Sequence, residues 1–255
     1  MSQIPDVPGP GPLPASGSGL RQSLTFLDVV LVCALAAAFI MIPIAAFTVA
    51  SIRHGGFDET VDANATLAVL FLEAAGIFAA AYLILIVRRG FTWADLGFRP
   101  VRLSWTGVAV LAALGCLLFA GAVSQIVERY YQTPLEEEYM ATLAPTGLSP
   151  LRVALLYLSA GVLVPPAEEL LFRGIIYPWL RQYLGVASCV VISAGLFSLA
   201  HQNLRLAIQI FIVGIVLALL YERSRSLLVS TVTHMTVNII SLTIIFVYSG
   251  PSVPA

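Results

Sequence analysis

The sequence predicts an all-α fold, a polytopic membrane bundle of about seven transmembrane helices. Of its 255 residues, 59% are hydrophobic and only 11% are charged, whereas an ordinary soluble domain carries about 25% charged residues. Long apolar runs recur along the chain, and most reach the ~20 residues that a bilayer core requires. The net charge of −1 argues against nucleic acid as a partner. We therefore expect a multi-pass protein of the cell membrane whose surroundings are lipid.

The N-terminal residues 1–23 are rich in Pro, Gly and Ser and are expected to form a disordered tail. The transmembrane helical domain is expected to cover residues 24–249. Its first apolar run, 24–52, is too long for the apolar core of a signal peptide. We interpret this run as a spanning helix with a kink at Pro43.

Six further apolar runs follow, at residues 65–87, 103–127, 151–184, 186–201, 204–221 and 226–248. The runs 186–201 and 204–221 are short for spans of ~20 residues. Because only Gln202 and Asn203 separate them, they are expected to form a tight helical hairpin.

The arginines predict the orientation of the bundle. Arginine-rich segments at 88–102 and 223–225 share one side with the N-terminus, so the positive-inside rule places the N-terminus in the cytoplasm. Other arginines oppose this orientation: Arg53, Arg129, Arg152 and Arg205.

The run 151–184 contains two adjacent carboxylates and an arginine at membrane depth, where ionisable groups are costly. Glu169 and Arg173 are one helical turn apart and are expected to pair. Glu168 points roughly 100° away from Glu169 and is free to face something else. Pro165 and Pro166 are expected to distort the helix just before this pair and free backbone groups.

Two histidines lie in other apolar runs, His201 one turn after Phe197 and His234 one turn before Asn238. A lone histidine in an apolar helix is more often a packing residue than a catalyst. Here two histidines share the membrane with a glutamate pair. We therefore expect Glu168, His201, His234 and Asn238 to meet in an intramembrane active-site cavity.

This set of side chains supports hydrolysis. A carboxylate removed from water suits a general base, and a neutral imidazole can hold the attacking water. A second histidine and an amide can donate hydrogen bonds to a developing oxyanion. The zinc-peptidase signature HExxH is missing from the sequence.

Three motifs in this order resemble those of the CPBP intramembrane proteases: Glu168-Glu169-x-x-x-Arg173, Phe197-x-x-x-His201 and His234-x-x-x-Asn238. That family includes the CAAX prenyl endopeptidase and the bacteriocin-processing (Abi) proteins. The resemblance covers about 91–238 and includes residues 93–98, which are similar to a short segment that often precedes the third span of these proteins.

The resemblance implies a role for each matching residue. Glu168 would be the base that activates water, and His201 would help to hold that water. His234 and Asn238 would line the oxyanion site.

The remaining motif residues would support the catalytic ones. Glu169 would be a second carboxylate locked by Arg173, and Phe197 would pack behind His201. Glu169 and Arg173 could equally form a buried ion pair that only fixes the fourth span. Glu73, in the second span, is interpreted as a structural polar contact rather than a cavity residue.

Whether a metal takes part stays open from the sequence. Glu168, His201 and His234 could ligate a divalent ion such as zinc and leave one position for water. Family members are called metalloproteases, yet the carboxylate could also act without a metal. We expect no tightly bound structural metal.

The function expected from the sequence is that of an intramembrane endopeptidase acting on a membrane-associated or prenylated CAAX-type peptide or protein. A non-catalytic CPBP-type membrane factor, serving as a scaffold or in bacteriocin immunity, is the first alternative. A transporter or proton relay is the second, although the sequence lacks the matching interrupted helices of many transporters.

Overall fold

The computed structural model describes residues 23–53, 59–132 and 149–248. Within these residues the regular secondary structure is helical throughout. This confirms the all-α fold. The tail predicted over residues 1–23 lies, except for Ser23, outside the described residues.

The α-helices of this part of the chain are α1 (Phe26–Arg53), α2 (Glu59–Ala81), α3 (Ser104–Tyr131), α4 (Pro150–Leu156), α5 (Val164–Glu169), α6 (Tyr177–Leu180), α7 (Val186–Ala200), α8 (Ala207–Ser224) and α9 (Leu227–Tyr248). Three segments are π-helical: π1 (Tyr82–Arg88) continues α2, π2 (Tyr157–Leu163) joins α4 to α5, and π3 (Leu170–Ile176) joins α5 to α6.

Six helical stretches are long and apolar enough to cross a membrane: Phe26–Ala46, Asn64–Arg88, Ser104–Tyr131, Pro150–Leu180, Ala207–Ser224 and Leu227–Val247. Helix α7 is also apolar but shorter. The predicted polytopic helical bundle is therefore confirmed, with α7 as its short member.

Helices α7 and α8 form the predicted hairpin, but the prediction that only two residues connect them was wrong. Helix α7 ends at Ala200, and α8 begins only at Ala207. Gln202 has a φ of 51°, which ends the helical path. The Asn203 side-chain oxygen then accepts hydrogen bonds from the backbone N–H groups of Arg205 (3.0 Å) and Leu206 (3.3 Å). This side-chain turn, invisible to an apolar pattern, lengthens the connection.

Small residues allow the two helices of the hairpin to approach closely. A Cβ atom at Gly214 would lie only 3.0 Å from the Ala194 Cα atom. Close approach at small residues is the usual packing of membrane helices. At the other end of the hairpin, Arg181 Nε lies 3.5 Å from Glu222 Oε2 and ties the end of α6 to the end of α8.

The fourth span is distorted at the predicted prolines. Val164 donates its N–H to the Ser159 carbonyl in the π-helical register, and in that register the Ala160 carbonyl would need a donor at residue 165. Because Pro165 has no N–H, this carbonyl loses its partner in the helix. The Asn238 side-chain amide of α9 donates to the Ala160 carbonyl instead, at 2.9 Å.

The loop before α3 fixes the relative positions of the elements around the site. The Leu227 N–H at the start of α9 donates to the Gly97 carbonyl (2.8 Å), and the Ser226 hydroxyl donates to the Arg99 carbonyl (2.5 Å). A Cβ atom at Gly174 of π3 would lie 2.7 Å from the Leu96 carbonyl oxygen. Both π3 and α9 are thereby held against the same loop.

We predict that Gly174→Ala lowers the free energy of unfolding by about 1–3 kcal/mol, because backbone must shift to admit the methyl group. Gly115→Ala is the matched control, since a Cβ atom there meets nothing within 4 Å. Reversible unfolding in mixed detergent micelles measures both. Equal stability of the two variants would show that π3 does not need its close contact with the loop.

Candidate active site

Glu168 and Glu169 are the last two residues of α5, and both side chains are buried. Successive residues of a helix point roughly 100° apart. The two carboxylates therefore face different neighbours, and each has its own set of contacts.

Glu169 is held by the predicted partner. Arg173 Nη1 donates to Glu169 Oε1 at 2.8 Å, and neither side chain is exposed to solvent. Arg173 Nη2 also donates to the Gly214 carbonyl of α8 at 3.0 Å, and the guanidinium carbon lies 4.4 Å from the Phe197 ring centre. The ion pair thus connects the fourth span to both helices of the hairpin.

Glu169 has a second partner that local sequence patterns did not indicate. His234 of α9 lies with its Nδ1 atom 3.1 Å from Glu169 Oε1, the same oxygen that Arg173 contacts. Because that oxygen accepts from the guanidinium, Nδ1 of His234 is the protonated nitrogen and donates to it. The Nε2 atom of His234 then faces Glu168, at 3.6 Å from Oε2.

His201 approaches Glu168 from the opposite side. It lies just beyond the end of α7, where its Nδ1 atom is 2.8 Å from the Phe197 carbonyl. A carbonyl only accepts hydrogen bonds, so Nδ1 carries the hydrogen and Nε2 is left with a lone pair. That Nε2 atom is 3.8 Å from Glu168 Oε1.

Glu168 is consequently placed between two imidazoles, with one Nε2 atom near each carboxylate oxygen. Distances of 3.6 and 3.8 Å exceed those of direct hydrogen bonds and are suited to contacts bridged by water. The side chain of His201 is 30% exposed, against 10% for Glu168 and 4% for His234. The site therefore opens on the His201 side.

The ring of Phe197 forms an apolar wall of the site. Its centre lies 4.7 Å from the His201 ring, 5.5 Å from the His234 ring and 5.1 Å from the Phe172 ring. The structure thus brings both histidines and the Glu169–Arg173 pair around one aromatic side chain.

Asn238 lies one turn beyond His234 on α9, on the same helix face. Its amide nitrogen donates to the Ala160 carbonyl at 2.9 Å. An amide has two N–H groups, and this hydrogen bond requires only one of them.

Glu73, interpreted from the sequence as a structural polar contact, lies within electrostatic range of the site. Helix α2 packs against α5, and the Glu73 carboxylate interacts electrostatically with Glu168 and His201. Within the described residues Glu73 makes no hydrogen bond or ion pair. Its position in an apolar run could have been recognised as a signal, because intramembrane carboxylates are rarely without a task.

Within the described residues, no three His, Cys, Asp or Glu side chains are placed to hold a metal ion together. The set of Glu168, His201 and His234 does not form such a group here, although its nitrogen and oxygen donors suit zinc chemically. Participation of a metal stays untested, as it is open from the sequence, and no step derived below uses one.

The fold and the site define a multi-pass helical membrane protein with a glutamate–histidine centre inside the bundle. Residues 150–240 match the family model described as "Type II CAAX prenyl endopeptidase Rce1-like". This segment contains all the predicted site residues. The match supports the resemblance of this segment to the CPBP family of intramembrane proteases. Comparison with curated proteins and with solved structures found no match.

We predict that Arg173→Gln lowers the free energy of unfolding by about 3–5 kcal/mol, since it leaves the Glu169 carboxylate buried without its cation. The same substitution at Arg225 is the control. Arg225 also contacts a glutamate at 2.8 Å, yet its side chain is 56% exposed, so that its loss costs less than about 1 kcal/mol. Unfolding in mixed micelles compares the two, and similar losses would contradict the importance of the buried pair.

Proposed function

We propose that this protein is an intramembrane endopeptidase that hydrolyses a peptide bond of a membrane-associated protein or peptide with water activated by Glu168. The observation that carries the proposal is the position of Glu168 between the Nε2 atoms of His201 and His234, at 3.8 and 3.6 Å. The match of residues 150–240 to a CAAX prenyl endopeptidase family model supports a hydrolase. Prenylated CAAX-type substrates are the first to test.

In the proposed reaction, Glu168 accepts a proton from a water molecule that the His201 Nε2 atom orients. The water oxygen then attacks the carbonyl carbon of the peptide bond. Glu168 returns the proton to the leaving nitrogen as the carbon–nitrogen bond breaks, which yields one carboxylic acid and one amine. General-base catalysis of this kind typically contributes 10²–10⁴-fold.

The negative charge that develops on the carbonyl oxygen needs hydrogen-bond donors. His234 and Asn238 are proposed for this role. His234 would donate through an N–H group at Nε2, and Asn238 through the amide N–H that does not bond to the Ala160 carbonyl. The bond from His234 Nδ1 to Glu169 fixes the direction in which Nε2 points. Arg173 in turn holds Glu169. Preorganised donors of this type are worth ~3 kcal/mol each.

We predict that Glu168→Gln lowers kcat by about 10²–10⁴-fold, because an amide cannot accept the proton from water. The measurement is cleavage of a fluorescent peptide library, with prenylated CAAX peptides and their unprenylated counterparts, by purified protein in detergent. Ser124→Ala is the control, since it removes a partly buried hydrogen bond to Gln209 between α3 and α8 (3.0 Å) that involves none of the site residues.

Three outcomes of this assay separate the alternatives. Full activity of Glu168→Gln would refute the proposed base. A wild-type protein that cleaves no peptide, while site variants abolish a cellular phenotype, would indicate a non-catalytic family member. Loss of cleavage on adding EDTA or phenanthroline, with recovery on adding zinc, would show that the reaction needs a metal.

We predict that Asn238→Ala lowers kcat by roughly 10²–10³-fold with little change in KM, as expected for a donor to the oxyanion. Because Asn238 also bonds to π2, the control is Tyr157→Phe. That change removes the 2.8 Å hydrogen bond between Tyr157 and Thr243, which also joins π2 to α9. If both variants lose activity equally, Asn238 acts only by holding the helices together.

A further inference from the structure

Glu73 is a carboxylate at membrane depth that the proposed reaction does not use. It is half-buried on α2 and has no hydrogen-bond or ion-pair partner within the described residues. Such a group is costly in a membrane protein unless something neutralises it. Its surroundings indicate what that partner could be.

The helix face that carries Glu73 is directed toward the site. Ile77 and Ala80, one and two turns farther along α2, are buried in the core together with Val164 and Ala167 of α5. Helix α2 packs against α5 and π3, while α7 packs against α8, α6 and π3. Helices α2 and α7 therefore flank the element that presents Glu168.

The site is most exposed at His201. His201, at the end of α7, is the most exposed of the residues around Glu168, and Glu73 of α2 lies within electrostatic range of both. A substrate that reaches Glu168 from this side comes within the electrostatic range of Glu73.

The charge on this side is negative. Glu73 and Glu168 interact with each other, and Arg173 is the arginine that interacts with Glu168. Of the described residues, His201 is the basic side chain that interacts with Glu73. Arg173 is fully buried and already bonded to Glu169 and to the Gly214 carbonyl. Arg173 is therefore committed to these partners. Within the described residues no arginine forms an ion pair with Glu73, which leaves this carboxylate open to a cation of the substrate.

We propose that Glu73 is a specificity-determining residue that binds a cationic side chain, lysine or arginine, next to the scissile bond of the substrate. This specificity rests on the proposed function, because it concerns the substrate of the same site. A charge-assisted hydrogen bond in a partly desolvated site gives a preference of roughly 10- to 100-fold over a neutral side chain.

The test compares peptides that differ at a single position. That position is each of the three residues on either side of the cleaved bond in turn, and it carries lysine, the uncharged norleucine or glutamate. For wild type, kcat/KM should be about 10- to 100-fold higher with lysine than with norleucine at one of these positions, and lowest with glutamate. Glu73→Gln should bring the lysine-to-norleucine ratio close to one. Glu73→Asp keeps the charge and should keep the ratio above one.

Because each result is a ratio of two peptides on one protein, partial loss of folded protein does not affect it. Should Glu73→Gln not fold, the wild-type ratio is measured at rising salt, where a charge-based preference must fall. A wild-type ratio near one at every position, a ratio unchanged in Glu73→Gln, or one insensitive to salt overturns this inference while the protease activity stands. Absence of any cleavage by wild type instead overturns the proposed function itself.

Discussion

The buried ion pair between Glu169 and Arg173 is the interaction on which the rest of the site depends. Its guanidinium donates to the Gly214 carbonyl of α8 and lies over the Phe197 ring of α7, while its carboxylate accepts from His234 of α9. In a medium of low polarity, removing one member leaves the other without compensation. Four helical elements are therefore held in one arrangement by a single pair of charges.

This arrangement leaves the neighbouring carboxylate available for chemistry. Because Glu169 is committed to structural contacts, Glu168 can face both imidazoles without being neutralised by the arginine beside it in the helix. The exposure of the three side chains rises from His234 through Glu168 to His201. Water and substrate can thus approach the reacting carboxylate from one side, while His234, one of the donors proposed for the oxyanion, stays buried.

Much of this protein follows from the sequence because the responsible interactions are local. Hydrophobic composition and run length determine that the chain is a membrane bundle. The contacts of Glu169 with Arg173 and of Phe197 with His201 each join residues one helical turn apart, and such spacings are set by helix geometry alone. Even the effect of Pro165 on the fourth span is local, since a residue without an N–H must leave a carbonyl unpaired.

The tertiary structure decided the contacts between residues far apart in the chain. The partners His234 and Glu169 are separated by 65 positions, and no periodicity specifies which helix face meets which. Asn238 finds the carbonyl freed by the proline, and Glu73 comes to lie beside Glu168, only through the packing of separate helices. The sequence by itself determined the spans, the paired charges and the family motifs. Which side chains share the site depends on helix rotation and depth, and these are fixed by packing among all helices at once.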